Sequence, residues 1–244
     1  MTEPLITRIL LSWFAENQRP LPWRKEYRPY HVWISEIMGQ QTQMERVVRY
    51  FQNWIKLFPD IQTLAAASEQ EVIKAWEGLG YYSRVRNIRK AADILVQEYG
   101  AELPDDETQL LALPGIGPYT AAAILSIAFN RTVPLLDANV ERMLCRLDDI
   151  ELPVKQTATR KLLVQRCTEL LPHNNARNFN QALMEFGALV CTPKKPACST
   201  CPLQQHCRSY ARDIVDLRPV PEKKEKRIDI RSRGVNRRSQ TCGP

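Results

Sequence analysis

Apolar residues recur along this chain at the spacing of helices and almost never alternate as they would in strands. Met44, Val47, Val48, Phe51, Ile55 and Phe58 fall three and four apart, and Phe179, Ala182, Leu183, Phe186 and Val190 repeat the pattern later. Such spacing puts each set on one face of a helix, which must then be buried. The pattern predicts an all-α protein of roughly ten short helices, broken near Pro29, Pro59, Gly78–Gly80, Pro104, Pro114, Pro134, Pro153, Pro172 and Pro193. Beyond about Leu217 the periodicity stops, and the remainder reads as disordered.

One break stands apart. Leu113 to Ala122 reads LPGIGPYTAA, so two of only nine glycines sit here between two prolines. Leu113 precedes a proline and is pushed out of the α region, which ends a helix near Leu110–Leu113. Pro118 suits the first turn of the next helix, and Ala121–Phe129 is apolar enough to be buried. Gly115 and Gly117 permit a left-handed backbone and close approach of another molecule. Free amides at a helix N-terminus suit a phosphate. Spacing alone favours a tight turn between two packed helices.

Composition adds little to the fold but redirects the search for function. The 244 residues are 44% hydrophobic with a net charge of +7, ordinary for a globular protein. No apolar run reaches membrane-spanning length, and the N-terminus lacks a basic head and cleavage site, so no membrane partner is expected. From Arg218 onward nine Lys or Arg face three Asp or Glu, so most of the charge lies in the tail. A nearly neutral body can bind nucleic acid only by gathering its basic residues on one face. The KKEKR run reads as a solvated linker.

Four of the seven cysteines lie in CTPKKPACSTCPLQQHC, as Cys191, Cys198, Cys201 and Cys207. A chain of this size in a reducing compartment has little need of disulfides. Four thiolates suit structural zinc or an iron–sulfur cluster, and the spacing leaves the two open. Cys145 and Cys167 fall in helical pattern as packing residues, whereas Cys242 lies in the tail as an exposed thiol.

Taken in order, LPWR at 21–24, VWISEIMGQQTQ at 32–43, WEGLGYYSRVRN at 76–87, LPGIG at 113–117, LLDAN at 135–139, FNQALMEFGALVCTP at 179–193 and the cysteine cluster closely resemble the MutY-type adenine-DNA glycosylases, a branch of the helix-hairpin-helix glycosylase superfamily. The resemblance covers about Leu21 to Cys207. It implies a two-lobed fold with one lobe from 1–28 and 135–215, a six-helix lobe from 29–134 with its hairpin at about 108–128, and a basic tail over 216–244. It also implies a [4Fe–4S] cluster on the four cysteines. The expected substrate is double-stranded DNA with a mispair, bound by a monomer. The expected location is the cytoplasm of a bacterium or archaeon beside the nucleoid, or a eukaryotic nucleus or organelle.

The same resemblance implies roles for single residues. In the endonuclease III branch the hairpin carries a lysine that attacks the sugar. Here that position is Tyr119, which implies a monofunctional enzyme with no lysine-dependent lyase step. Glu36 is implied as the acid that protonates adenine, then the base toward water, and its apolar neighbours would raise its pKa. Asp137 is implied as the ionised carboxylate that stabilises the sugar cation, and it also suits a helix N-cap. A hundred positions separate the two, so their meeting rests on the resemblance alone. Gln41 and Tyr81 match residues that wedge into the base stack, Gln40 with Gln41 matches the adenine branch at the base pocket and DNA surface, and Gly115 and Gly117 match the DNA-binding hairpin. Arg19, Arg24 and Gln181 match the wall of the adenine pocket; without the resemblance the two arginines would read as solvated surface charge.

Two features depart from the family. Gly39 stands where a leucine is usual, which enlarges the wall beside the base. PEKKEKRIDIRSRG resembles the linker into an 8-oxoguanine-recognition domain, and VNRRSQTCGP has no apolar pattern to continue it. A weakened preference for 8-oxoguanine over guanine is therefore expected. The alternatives are a thymine or uracil glycosylase acting on G:T or G:U mispairs, and a non-catalytic module that binds mispairs.

Overall fold

A computed structural model describes residues 3–222, which contain helices and turns with no strand. Twelve α-helical segments follow in order: α1 (Leu5–Asn17), α2 (Pro29–Gly39), α3 (Met44–Leu57), α4 (Ile61–Ala66), α5 (Glu69–Trp76), α6 (Ser83–Glu98), α7 (Glu107–Ala112), α8 (Pro118–Ala123), α9 (Ala138–Leu147), α10 (Thr157–Leu170), α11 (Ala176–Leu189) and α12 (Arg208–Ala211). Several start where a short polar side chain can take up a free amide. Asp60 accepts from the Thr63 amide, Asp106 from Gln109 and Asp137 from Val140, while Ser68 and Glu71 form a reciprocal capping box.

Two cores form. One is built from residues between Leu21 and Leu125, with Trp33, Trp54 and Trp76 fully buried. The Trp54 indole donates to the Tyr30 hydroxyl at 3.0 Å, which itself donates to the Phe58 carbonyl at 2.9 Å, so the polar edges of two large rings are satisfied. The other core joins Leu10 and Phe14 of α1 to residues between Val140 and Leu203. A smaller cluster of Val32, Ala122, Ala123, Ile127, Ala128 and Leu135 lies between them. The apolar face of α3 is buried through Val47, Phe51 and Trp54. That of α11 is buried through Phe179, Ala182, Leu183 and Phe186, and this helix packs against both α1 and α9. At the α9 crossing, a Cβ on Gly187 would lie 2.8 Å from the Asn139 carbonyl oxygen, so only glycine lets the two backbones approach.

The LPGIGP corner joins α7 to α8, with Pro118 in the first turn of α8. The helix after the corner continues past Ala123 as a π-helical turn over Ile124–Ala128. The two glycines differ in a way the sequence did not separate. Gly115 has φ +80, and a Cβ there would lie 2.7 Å from the Asn87 Cβ on α6. Gly117 is not left-handed: it is extended at φ −92, with open space around a Cβ. The turn needs glycine only at the first position. Gly115→Ala is expected to cost about 1–3 kcal/mol, combining backbone strain with a clash, and Gly117→Ala far less. Thermal melts of both variants check this; equal melting temperatures would contradict it.

Order also continues beyond Leu217, contrary to the fading of the apolar pattern. Arg218 pairs with the buried Asp149 at 2.8 Å, and the Val154 amide donates to the Val220 carbonyl at 3.3 Å. An ion pair and backbone hydrogen bonds hold this segment, and neither has a hydrophobic period. The KKEKR run, the PEKKEKRIDIRSRG linker beyond Glu222 and Cys242 lie outside the described residues.

Candidate active site

A cleft of about 490 Å³ is lined by α2, the loop from Arg19 to Arg24, Tyr119 at the start of α8, the N-terminus of α9 and the inner face of α11. Glu36 and Asp137, far apart in sequence, both line it. Glu36 projects from α2, whose neighbours Trp33, Ile34, Ile37 and Met38 are buried. Burial pushes its carboxyl up to about 7; the hydrogen bond from Tyr119 opposes this, and the Asp137 charge adds to it. The Tyr119 hydroxyl donates to Glu36 Oε2 at 2.9 Å, and burial keeps this phenol protonated, well above its ordinary range.

Asp137 caps α9. Its Oδ1 accepts from the Val140 amide at 2.7 Å and its Oδ2 from the Asn139 side chain at 2.9 Å. Burial raises its pKa, and these hydrogen bonds pull the other way. Glu36 has one hydrogen-bond donor and Asp137 has several, so the two carboxyls meet the cleft in different electrostatic settings.

Arg19, Arg24 and Gln181 also line the cleft, but their polar atoms are turned into the wall. Arg19 and Arg24 both grip Glu185, which is 2% exposed, at 2.8 and 3.0 Å. Arg24 also donates to Gln181 Oε1 at 2.9 Å, and the Gln181 amide donates to the Arg177 carbonyl at 3.1 Å and to Tyr27 at 3.3 Å. The arginines are thus half-buried and ion-paired to a buried carboxylate rather than solvated charge. Burial disfavours the Glu185 carboxylate, but the hydrogen bonds and charges of Arg19 and Arg24 outweigh it and hold its pKa at about 2. Gly39, at the end of α2, faces open space, with nothing within 4 Å of a Cβ placed there.

Gln40 lines the cleft, while Gln41 and Tyr81 are exposed on turns with φ +56 and +50. The Tyr81 ring, 62% exposed beside Gly78 and Gly80, is no core aromatic.

The four cluster cysteines line one cavity behind α9. Among the described residues no three Cys, His, Asp or Glu converge as they would on a single metal ion. Four thiols around one shared cavity supply the donor set that an iron–sulfur centre or a structural zinc requires. Two arginines hold this loop to α9. Arg142 donates to the Cys191 carbonyl at 2.8 Å and to the Gly187 carbonyl at 2.7 Å. Arg146 reaches the Thr192 carbonyl at 2.7 Å and the Arg218 carbonyl at 3.0 Å. Cys145 and Cys167 are buried in the second core.

Residues 34–171 match the HhH-GPD superfamily of base excision DNA repair proteins. The chain belongs to that superfamily. Residues 191–207 match the iron–sulfur binding domain of endonuclease III, which decides between zinc and iron in favour of a [4Fe–4S] cluster. Superfamily members with similar sequences include the adenine DNA glycosylase of Mus musculus, 44% identical over 83% of this chain and 41% of the relative. That of Buchnera aphidicola (subsp. Schizaphis graminum) is 39% identical over 92% of this chain and 65% of the relative. This chain therefore spans less than two thirds of the length of those proteins. Among solved structures, a thermostable thymine-DNA glycosylase has a TM-score of 0.78 at 26% identity, covering 85% of this chain and 96% of the other. A non-covalent endonuclease III–DNA complex shares the fold, with a TM-score of 0.71 at 23% identity over 86% of this chain and 95% of the other.

Glu185, Arg84, Arg142 and Arg146 escape a reading by sequence pattern. A signal existed for Glu185, which stands four residues after Gln181 and so shares its helix face. The arginines left none, since their partners are mostly backbone carbonyls.

Proposed function

We propose that this chain is a monofunctional DNA glycosylase that hydrolyses the N-glycosidic bond of adenine mispaired with 8-oxoguanine or guanine. The observation that carries the reading is the meeting of Glu36, Tyr119 and Asp137 in one cleft of a base excision fold. The 39–44% identity to adenine glycosylases supports adenine as the base. Relatives with that name occur in bacteria and eukaryotes, so the compartment is wherever the host keeps its DNA.

Base release requires a proton on a poor leaving group and charge stabilisation on the sugar. Glu36, with a pKa raised to about 7, retains a proton near neutrality. It gives that proton to adenine N7 as the bond from C1′ to N9 breaks and its electron pair leaves with the base. Tyr119 donates to Glu36 Oε2, so it stabilises the carboxylate that remains and eases the transfer. The Asp137 carboxylate, held by Val140 and Asn139, stabilises the oxocarbenium-like sugar or bonds to it transiently. Glu36 then takes a proton from the water that completes hydrolysis. Among the described residues the cleft lining contains no lysine, so none of them places an amine to form a Schiff base with the sugar. Cys191, Cys198, Cys201 and Cys207 would hold the cluster, which would cross-link the loop to itself, while Arg142 and Arg146 tie that loop to α9.

The test is single-turnover base release from duplexes with A opposite 8-oxoguanine, A opposite G, T opposite G and U opposite G, each with and without hot alkali. Adenine-strand breaks that form only after alkali are expected. A second reading has an observation of its own: the open space at Gly39, together with the likeness to a thymine-DNA glycosylase, allows a different base. Release of thymine or uracil in place of adenine would move the assignment there. Tight mispair binding without release from any duplex would make the chain a recognition module.

A further inference from the structure

Gln41 and Tyr81 are exposed, and both hold a left-handed backbone without being glycine. Such conformations persist only where the surroundings hold them. Among the described residues, no backbone hydrogen bond joins the Gln41 turn to the Tyr81 turn. What joins them is the side chain of Arg84, from the first turn of α6.

One terminal nitrogen of Arg84 donates to the Ile37 and Gln40 carbonyls, each at 2.8 Å. The other donates to the Leu79 and Gly80 carbonyls, each at 3.2 Å. The guanidinium carbon also lies 5.2 Å from the Trp76 ring centroid and 5.4 Å from that of Tyr81. Trp76 is fully buried, and its indole donates to the Gly80 carbonyl at 3.0 Å. The guanidinium is therefore packed between a fixed core ring and the exposed Tyr81. On the α2 side, Ile37 lies in the last turn, whose carbonyls lack helical partners and favour a cation. Ile37 follows Glu36 directly.

We propose that Arg84 is a positioning residue: it locks the Gln41 and Tyr81 turns at a fixed separation, so that both side chains enter the base stack as one wedge, and ties that wedge to the end of the helix carrying Glu36. The proposal rests on the glycosylase reading for the duplex it acts on. Only a planar, forked cation can serve two pairs of carbonyls while stacking on two rings; a lysine is a point donor and cannot.

The test compares Arg84→Lys and Arg84→Ala with the unmodified full chain. Melting temperatures establish folding, and the lysine variant keeps the test decisive if the alanine variant does not fold. Adenine release is measured under single-turnover conditions from a duplex with adenine opposite 8-oxoguanine and from one with adenine opposite an abasic site, where no stacked partner need be parted. In a parallel assay, 2-aminopurine beside the mispair reports unstacking by its fluorescence, without reference to chemistry. Arg84→Lys is expected to melt as the parent does and to lose about 10-fold or more in release from the fully based duplex, in line with the cost of small misplacements near a reacting centre. Release opposite the abasic site should change little, and the 2-aminopurine signal should fall. Equal losses on both duplexes, or an unchanged fluorescence rise, would overturn the proposal. If the parent raised the fluorescence but released no adenine from either duplex, the glycosylase reading would fail while the clamp was still tested; if it raised no fluorescence, the wedge itself would be refuted.

Discussion

Glu36→Gln is expected to cut adenine release by about 10³-fold under single-turnover conditions while leaving duplex binding intact. Glutamine keeps an oxygen that can accept from Tyr119, but it cannot deliver a proton to the departing base. The unmodified chain should show a matching pH profile. As the acid, Glu36 must be protonated, so release should fall as pH rises through about 7. The same group sets a stability trend of unusual sign. Its folded pKa lies above its ordinary value of 4.5, so the folded state binds more protons between those limits. Stability should decline as pH rises from about 4.5 to 7 and stay reduced above that. The shift corresponds to at most ~3 kcal/mol, lessened by the cleft's access to water. Glu36→Gln removes that penalty and should therefore melt higher than the parent at pH 8. A variant that released adenine at the parental rate would remove Glu36 from the acid role. One that melted lower at pH 8 would contradict the burial argument.

Glu185→Gln should produce the largest loss of stability at any single position near the cleft. Its carboxylate is buried and answers two guanidiniums at once. Removing that charge leaves Arg19 and Arg24 facing each other without compensation, at a cost of about 3–5 kcal/mol. For a chain of this size each kcal/mol moves the melting temperature by roughly 2–4 °C, so a fall of ~10 °C is expected. The pH dependence runs opposite to that of Glu36. With a folded pKa of about 2 against an ordinary 4.5, Glu185 contributes stability that is fully present above pH 4.5 and is lost as pH falls toward 2. The variant should lack that part of the acid transition. Melting within 2 °C of the parent would mean that solvent already screens the two arginines.

These expectations separate what a linear sequence can carry from what it cannot. The helices were legible because burial of an amphipathic face imposes a local period, as in Val47, Phe51 and Trp54 or Phe179, Leu183 and Phe186. The hairpin was legible because proline and glycine act on their own backbone, although the need for glycine at Gly115 and not at Gly117 depends on Asn87 of a different helix. The cysteine cluster was legible because its four ligands lie within one short loop. The meeting of Glu36 with Asp137 left no local trace and in the sequence rested on resemblance, the Tyr119 hydrogen bond to Glu36 was not foreseen at all, and the folded chain brings the three to one cleft. The Glu185 ion pairs, the Arg142 and Arg146 struts and the Arg84 clamp were decided by tertiary structure alone. Hydrophobic periods and backbone constraints are properties of neighbours in the chain. Charge pairs and carbonyl clamps are properties of neighbours in space, and only the folded chain decides which those are.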